Sequence, residues 1–262
     1  MSTNAPGRVM LARALSKLGL ASRTEAIALI RAGRVAVDGR IARSPRLAVV
    51  PERVDIEIDG RAVERPDSLT ILLHKPRGVV TTRRDPQGRP TVVDLVADAP
   101  VRVFPVGRLD LATTGLLLLT NDSRFADWVT DPANRVPRTY VVTVRGDVAE
   151  DVRRRLEAGI VSGGESLRAQ SVEVRKKSRR ETHLLVELTE GRNREIRRLF
   201  EAAGHDVTRL KRVGFGGLAL DDLPPGKWRT VSEAELASAF PEAPLARSAL
   251  RNSSLTCTKR VV

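Results

Sequence analysis

The sequence predicts an α+β protein: a small module of two short helices and small strands, followed by a larger domain built on a mostly antiparallel sheet. Three observations carry this expectation. Alternating apolar runs recur from residue 69 onward, yet helical patterns do not alternate regularly with them, which argues against a doubly wound parallel sheet. Residues 8–60 hold two helical repeats followed by short strands, a unit in itself. Between the two, residues 61–68 are polar, carry Pro66 and read as a linker.

Within residues 8–60, Leu11, Leu15 and Leu18 repeat at helical spacing and Gly19 supplies a stop. Ser22-Arg23-Thr24-Glu25 is a capping box: the Ser22 hydroxyl takes an orphan amide while Glu25 reaches back to the cap's own N–H. The helix it opens presents Ala26, Ile27 and Ile30 to a core and ends near Gly33. Val35 and Val37 then alternate into Asp38-Gly39, a hairpin-turn dipeptide, and Val54, Ile56 and Ile58 alternate up to Asp59-Gly60.

Residues 69–240 form the second domain. Leu69 to His74 is a strand, broken by the turn Lys75-Pro76-Arg77-Gly78, and Asp85 to Pro90 is a surface loop. Leu116 to Leu119, between Gly115 and Asn121-Asp122, reads as a strand buried on both faces. Ser123 to Thr130 is a short helix packed through Phe125 and Trp128. Thr139 to Arg145 and His183 to Leu188 are strands, and Asp147 is positioned to cap a helix carrying Val152 and Leu156. The basic run from Arg175 to Arg180 is either a solvated hairpin tip or a phosphate contact. Ser232-Glu233-Ala234-Glu235 is a second capping box, opening a last helix to about Phe240. Residues 245–262 hold four basic residues and no acidic one, and read as a disordered or RNA-contacting tail.

Composition narrows the partners. Forty-five Lys+Arg against 32 Asp+Glu give a formal net charge of +13, which points to a polyanion: RNA, DNA or an anionic membrane surface. No apolar run approaches the ~20 residues of a spanning helix, and residues 1–8 lack the apolar core of a signal peptide. One cysteine, Cys257, excludes an internal disulfide and a cysteine-cluster metal site, and fits a reducing cytoplasm. Aromatics make up 3% of the chain, too few for a broad stacking platform and more in keeping with a reader of a few splayed bases. His74, His183 and His205 show no ligand spacing, and no glycine-rich nucleotide loop is present.

Two stretches carry candidate chemistry. Gly107 to Thr113 brings one carboxylate, Asp110, to the edge of the buried Leu116–Leu119 strand; it reads as a turn cap on the amides near Ala112 and Thr113, the commoner role, or as a carboxylate whose charge state the core can set. In Glu190 to Phe200, projection at 100° per residue gathers Ile196, Leu199, Phe200 and Ala203 on one face, with Arg194 and Arg198 opposite. Arg197 flanks the apolar face, so its stem can lie along the core and its guanidinium can meet a half-buried carboxylate.

The stretch Gly107-Arg108-Leu109-Asp110-Leu111-Ala112-Thr113-Thr114-Gly115-Leu116-Leu117-Leu118-Leu119-Thr120-Asn121-Asp122 resembles the catalytic motif of the pseudouridine synthases that modify ribosomal RNA, and the resemblance runs from about Val9 to Glu235. It implies that Asp110 is the essential nucleophile, that Tyr140 in Pro137-Arg138-Thr139-Tyr140 stacks on the target uracil, that Arg197 pairs with Asp110, and that Leu210 packs in the same pocket. Many relatives have Lys where this chain has Arg138. Residues 9–60 resemble the alpha-L RNA-binding module of a small-subunit ribosomal protein, with Lys17, Arg23, Arg31 and Arg34 as candidate RNA contacts. The implied reaction is an isomerisation of uridine to pseudouridine that needs neither cofactor nor metal. The expected partner is ribosomal RNA, met in the cytoplasm by a monomer and away from any membrane. Asp-Pro-x-Gly-Arg-Pro-Thr-Val and Leu-Pro-Pro-Gly-Lys-Trp-Arg look closer to the large-subunit enzymes. Small-subunit RNA, or a non-catalytic role in RNA binding or ribosome assembly, are the rival readings.

Overall fold

The computed structural model describes residues 8–18, 20–63 and 67–245. Gly19, Pro66 and the tail from residue 246 lie outside the described residues, as does the side chain of Lys17.

The N-terminal module comprises β1 (Val9–Met10), α1 (Leu11–Lys17), α2 (Arg23–Arg31), β2 (Val35–Val37), β3 (Arg40–Ile41), β4 (Ala48–Val49), β5 (Ile56–Ile58) and β6 (Arg61–Ala62). Both halves of the capping box form: Ser22 Oγ accepts from the Glu25 amide and Glu25 Oε2 accepts from the Ser22 amide. The Asp38-Gly39 and Asp59-Gly60 turns close β2 on β3 and β5 on β6, giving a sheet in the order β3-β2-β5-β6. Leu11, Leu15, Ala26, Ile30, Val35 and Ile56 are buried in one cluster that draws only on residues 9–63.

The main sheet is built from β7 (Thr70–Lys75), β8 (Phe104–Pro105), β9 (Thr114–Thr120), β10 (Arg138–Arg145), β13 (Ser171–Lys177), β14 (Glu181–Leu188), β15 (Val207–Phe215), β16 (Leu218–Ala219) and β17 (Trp228–Val231), while β11 (Ile160–Ser162) and β12 (Glu165–Leu167) form a separate hairpin. Its path is β13-β14-β10-β15-β9-β7-β17, antiparallel everywhere except between β15 and β9. Helices cover both faces. Leu73, Leu117 and Leu119 pack with Leu156 of α4 (Glu150–Ala158) and with Leu199 and Phe200 of α5 (Glu195–Ala202). Leu72, Leu116 and Leu118 pack with Phe125 and Val129 of α3 (Ser123–Thr130) and Leu236 of α6 (Glu233–Ala239). Burial on both sides is why β9 reads as an unbroken leucine run rather than an alternation.

Two caps differ from expectation. Ala149, not Asp147, precedes α4, and Asp147 instead forms an ion pair of 2.6 Å with Lys177 across the neighbouring hairpin. Ser232 caps α6, but Glu235 is taken by the Arg229 guanidinium at 2.6 Å, so only half of that box closes. In both, a nearby cation outcompetes a local amide for the carboxylate.

The parallel pairing of β15 with β9 spans two register pairs, Lys211 with Thr114 and Arg212 with Gly115. Gly115 sits at φ +107°, and a Cβ there would lie 2.1 Å from the Arg212 carbonyl oxygen. Only glycine permits this approach. Gly115→Ala should therefore lower the unfolding free energy by about 2–4 kcal/mol, through backbone strain and displacement of β15. Urea denaturation checks this; a loss within about 0.5 kcal/mol, the range of ordinary surface changes, would contradict the close packing.

Candidate active site

The segment before β9 is a short loop fixed from below. Thr81 Oγ1 donates to the Leu109 carbonyl at 2.8 Å, the Gly78 amide donates to the Leu111 carbonyl at 2.9 Å, and the Thr113 amide closes a turn on the Asp110 carbonyl at 3.0 Å. Lys75, the last residue of β7, is fully buried, and its ammonium donates to the carbonyls of Thr113 (2.9 Å), Asp110 (3.1 Å) and Pro76 (3.1 Å). Burial pushes the Lys75 pKa down to about 8, against the opposing pull of Asp110. Backbone bonds thus hold the Asp110 loop while its carboxylate stays clear. That carboxylate is 31% exposed, accepts no hydrogen bond from the described residues, and so is not the turn cap that local sequence allows.

Asp110 opens into a cavity of about 140 Å³ walled by the loop that leads into β9, by β10, β15 and the end of β14, and by the start of α5, with Tyr140, Leu188, Ile196 and Leu210 as its apolar lining. Tyr140 and Leu210 are both nearly buried, on adjacent strands, with Tyr140 opposite Arg212 in the ladder. The structure thus gathers Asp110, Tyr140 and Leu210 around one space.

Arg197 does not line that space. The guanidinium nearest Asp110 belongs to Arg194, with Nη1 at 3.8 Å from Oδ2, whereas Arg197 Nη1 donates to the Val207 carbonyl at 2.9 Å. The helical projection failed at Arg194 because that residue precedes the helix in the left-handed region, φ 49°, which turns its side chain off the expected face. Arg197 remains within electrostatic reach of Asp110; its own pKa is lowered by burial and then by the Arg194 charge, with Asp110 opposing.

Sequence reasoning missed three further wall residues. Arg138 is buried, donates to the carbonyls of Val136, Thr189 and Val129, and lies 5.1 Å from the Phe215 ring centre; burial lowers its pKa. Arg212 is buried, donates through Nε to the Leu116 carbonyl at 2.7 Å, and lies 4.8 Å from the same ring. Glu195 accepts from the Gly191 and Arg192 amides, both at 2.9 Å, and burial pushes its pKa up. The signal for Lys75 was present: the apolar strand from Leu69 runs straight into it. Thr113 Oγ1, Glu195 Oε1 and Arg212 Nη2 are buried without a partner among the described residues, and all three residues line this cavity. Such atoms cost about 1–3 kcal/mol each unless water or a ligand meets them, which marks a wall suited to a polar guest.

In the module, Arg23 and Arg31 are exposed on α2, and Arg34 forms a two-pronged ion pair with Asp59. Among the described residues, no group of His, Cys, Asp and Glu could hold a metal ion, and no helix is long and apolar enough to cross a membrane.

A small module with exposed arginines, joined to a sheet domain whose cavity holds a carboxylate that accepts no hydrogen bond among the described residues, fits an enzyme that acts on nucleic acid. The RNA pseudouridylate synthase family matches residues 69–202 and the S4 domain matches residues 11–54, and the chain belongs to the RNA pseudouridylate synthase family. It is 39% identical to an uncharacterized RNA pseudouridine synthase of Aquifex aeolicus over 88% of this chain and 94% of that one. It is 37% identical to the ribosomal large subunit pseudouridine synthase B of Bacillus subtilis, over 86% and 93% of the two chains. A crystal structure of a pseudouridylate synthase superposes with a TM-score of 0.62 at 26% identity, covering 87% of this chain and 98% of that one. The chain is thus an RNA pseudouridine synthase, and the non-catalytic reading falls away.

The Lys75 clamp predicts a pH dependence. Its folded pKa, about 8, lies below the ordinary lysine value of 10.5. Below pH 8 both states hold the proton and the burial cost is fully present. Between about pH 8 and 10.5 the unfolded chain binds the extra proton, so stability rises with pH in that window. Lys75→Met should unfold more easily than wild type at pH 7, and the gap should widen from pH 8 to 10.5. Denaturant titrations of both proteins across that range test it; a constant gap would place the Lys75 amine in contact with water.

Proposed function

We propose that this enzyme isomerises a uridine of large-subunit ribosomal RNA, with Asp110 as its nucleophile. One observation carries the assignment of Asp110. Two carboxylates line the cavity, and Glu195 is committed to the Gly191 and Arg192 amides while Asp110 is not hydrogen-bonded. The large-subunit target follows from the name of the Bacillus subtilis relative, whose length this chain nearly covers.

The target uridine leaves its stack, at a cost of a few kcal/mol, and enters between Tyr140 and Leu210. Asp110 attacks the sugar, as carboxylates do at anomeric carbons, and the bond from ribose to uracil N1 breaks. The base turns, its C5 bonds to the ribose anomeric carbon as the bond to Asp110 breaks and releases the carboxylate, and the proton on C5 departs while N1 regains one, so the sum is an isomerisation. Arg194 offers the carboxylate a counter-charge at 3.8 Å. Arg197, one helical turn deeper, supplies a second positive charge and keeps the role of substrate contact once the nucleotide is bound. Tyr140 stacks on the base, and its hydroxyl assists removal of the C5 proton.

Asp110→Asn should fold, bind ribosomal RNA and form no pseudouridine; product from the pure variant would remove Asp110 from the mechanism. Tyr140→Phe should keep binding and turn over more slowly, whereas Tyr140→Ala should also lose about 1–3 kcal/mol of base stacking. A double-mutant cycle on stability separates the two arginines. Asp110→Asn with Arg194→Gln should show about 0.5–1 kcal/mol of coupling, and Asp110→Asn with Arg197→Gln less. The opposite order would return the pairing in the free enzyme to Arg197.

A further inference from the structure

The N-terminal module and the synthase domain face one another across a cleft whose charge the reaction at Asp110 does not use. On the module side stand Arg13 of α1 and Arg23 at the start of α2; on the synthase side stand Arg83 and Arg102. Two adjoining cavities of about 440 and 410 Å³ share Ser16, Arg83 and Phe104 as walls, so the cleft is continuous. The Arg83 guanidinium lies over the Phe104 ring, 5.0 Å from its centre, which holds the side chain extended into the cleft.

Like charges gather here. None of the four arginines has a carboxylate within ion-pair distance among the described residues. Arg83 is depressed below the ordinary arginine pKa by burial first, and then by the charges of Arg23 and Arg102, so the two domains bring their cations close enough to repel. Two carboxylates face the same region. Asp127 lines the cleft, and Glu25 feels the Arg102 charge while its Oε2 accepts the Ser22 amide. Among the described residues, four arginines against these two carboxylates leave the groove positive. A protein gains nothing by holding unpaired cations opposite one another unless a polyanion relieves them.

We infer that the cleft between the module and the synthase domain is a second RNA-backbone site, where Arg23, Arg83 and Arg102 clamp phosphates of the substrate strand. Phe104 pairs with Thr120 at one end of β9, and Asp110 precedes Thr114 at the other. At ~3.3 Å per residue the six steps of β9 separate the two sites by roughly 20 Å. The clamp therefore grips RNA several nucleotides from the uridine that reacts. It rests on RNA being the substrate, and it concerns binding rather than chemistry.

The test uses the full chain and two synthetic large-subunit RNA fragments, one long and one trimmed to the stem-loop around the modified uridine. Arg83→Gln, Arg102→Gln and their combination with Arg23→Gln are compared with wild type. Each single change should weaken binding of the long RNA and reduce the slope of log affinity against log salt by somewhat less than one. In turnover the triple variant should raise KM at least tenfold for the long RNA with kcat unchanged, and leave the trimmed RNA unaffected. Arg83→Lys should recover most of the affinity. Because the substitutions relieve repulsion, the triple variant should melt no lower than wild type, which guards against misfolding as the cause. An unchanged salt slope in the triple variant, or an equal loss on both RNAs, overturns the clamp. Failure of wild type to modify either RNA would instead count against the large-subunit target, while the binding measurements would still decide the clamp.

Discussion

Four strands of the main sheet, β13 to β15, and three others, β9 to β17, are joined by one parallel contact only two register pairs long, at Thr114 and Gly115. Asp110 lies in the loop that leads into the second group of strands; Tyr140, Leu210 and Arg212 belong to the first. The distance between Asp110 and the cavity wall formed by Tyr140 and Leu210 is therefore set by how closely the two groups approach. A ladder of two pairs is weak for that duty, and the chain reinforces it with an ionised donor. Arg212 crosses the seam to the Leu116 carbonyl, while Lys75, within the second group, fixes the start of β9 to the loop that bears Asp110. Charge-assisted bonds of this kind are shorter and stronger than amide–carbonyl bonds, and buried ones are screened much less by salt.

The choice of partners for these buried cations has an electrostatic consequence. Lys75 and Arg212 donate to carbonyl oxygens, and so does Arg138. Carbonyls satisfy the donors but do not cancel the charge, so the wall around Asp110 stays positive. Carboxylate partners would have returned Coulombic attraction but added their own desolvation penalty, and would have left a neutral pocket with further carboxylates beside Asp110. A positive wall suits a guest that arrives attached to phosphates. The depressed pKa values of Lys75 and Arg138 record what this arrangement costs the folded protein.

Much of this was legible in the chain because the signals are local. The capping box at Ser22, the turn at Asp38-Gly39 and the leucine run of β9 each depend on a few neighbouring residues. The gathering of Asp110, Tyr140 and Leu210 could be read from the family motif, since no spacing in the sequence relates positions 110, 140 and 210. The errors share one origin. Asp147 and Glu235 were read from helix-capping rules, and each was drawn instead to a cation on another element. Arg194 was read as helical, and one left-handed residue moved its guanidinium to the opposite side. Lys75 was read as part of a polar turn, since burying an ammonium among three carbonyls needs a loop that returns from 35 residues away.

The size of the cavity divides recognition from chemistry. A cavity of about 140 Å³ beside Tyr140 and Leu210 is on the scale of a single base. Bonds to a single uracil cannot tell one uridine of an RNA from another, so selection must act outside the cavity. Phosphate contacts carry no sequence information, but they fix register and orientation on a folded RNA. Contacts at the Phe104 end of β9, roughly 20 Å from Asp110, would convert that register into a choice. Only a uridine displayed at the right distance from a fitting backbone shape reaches Asp110. On this view the spacing between module and synthase domain determines the target, and the side chains in the cavity determine only what is done to it.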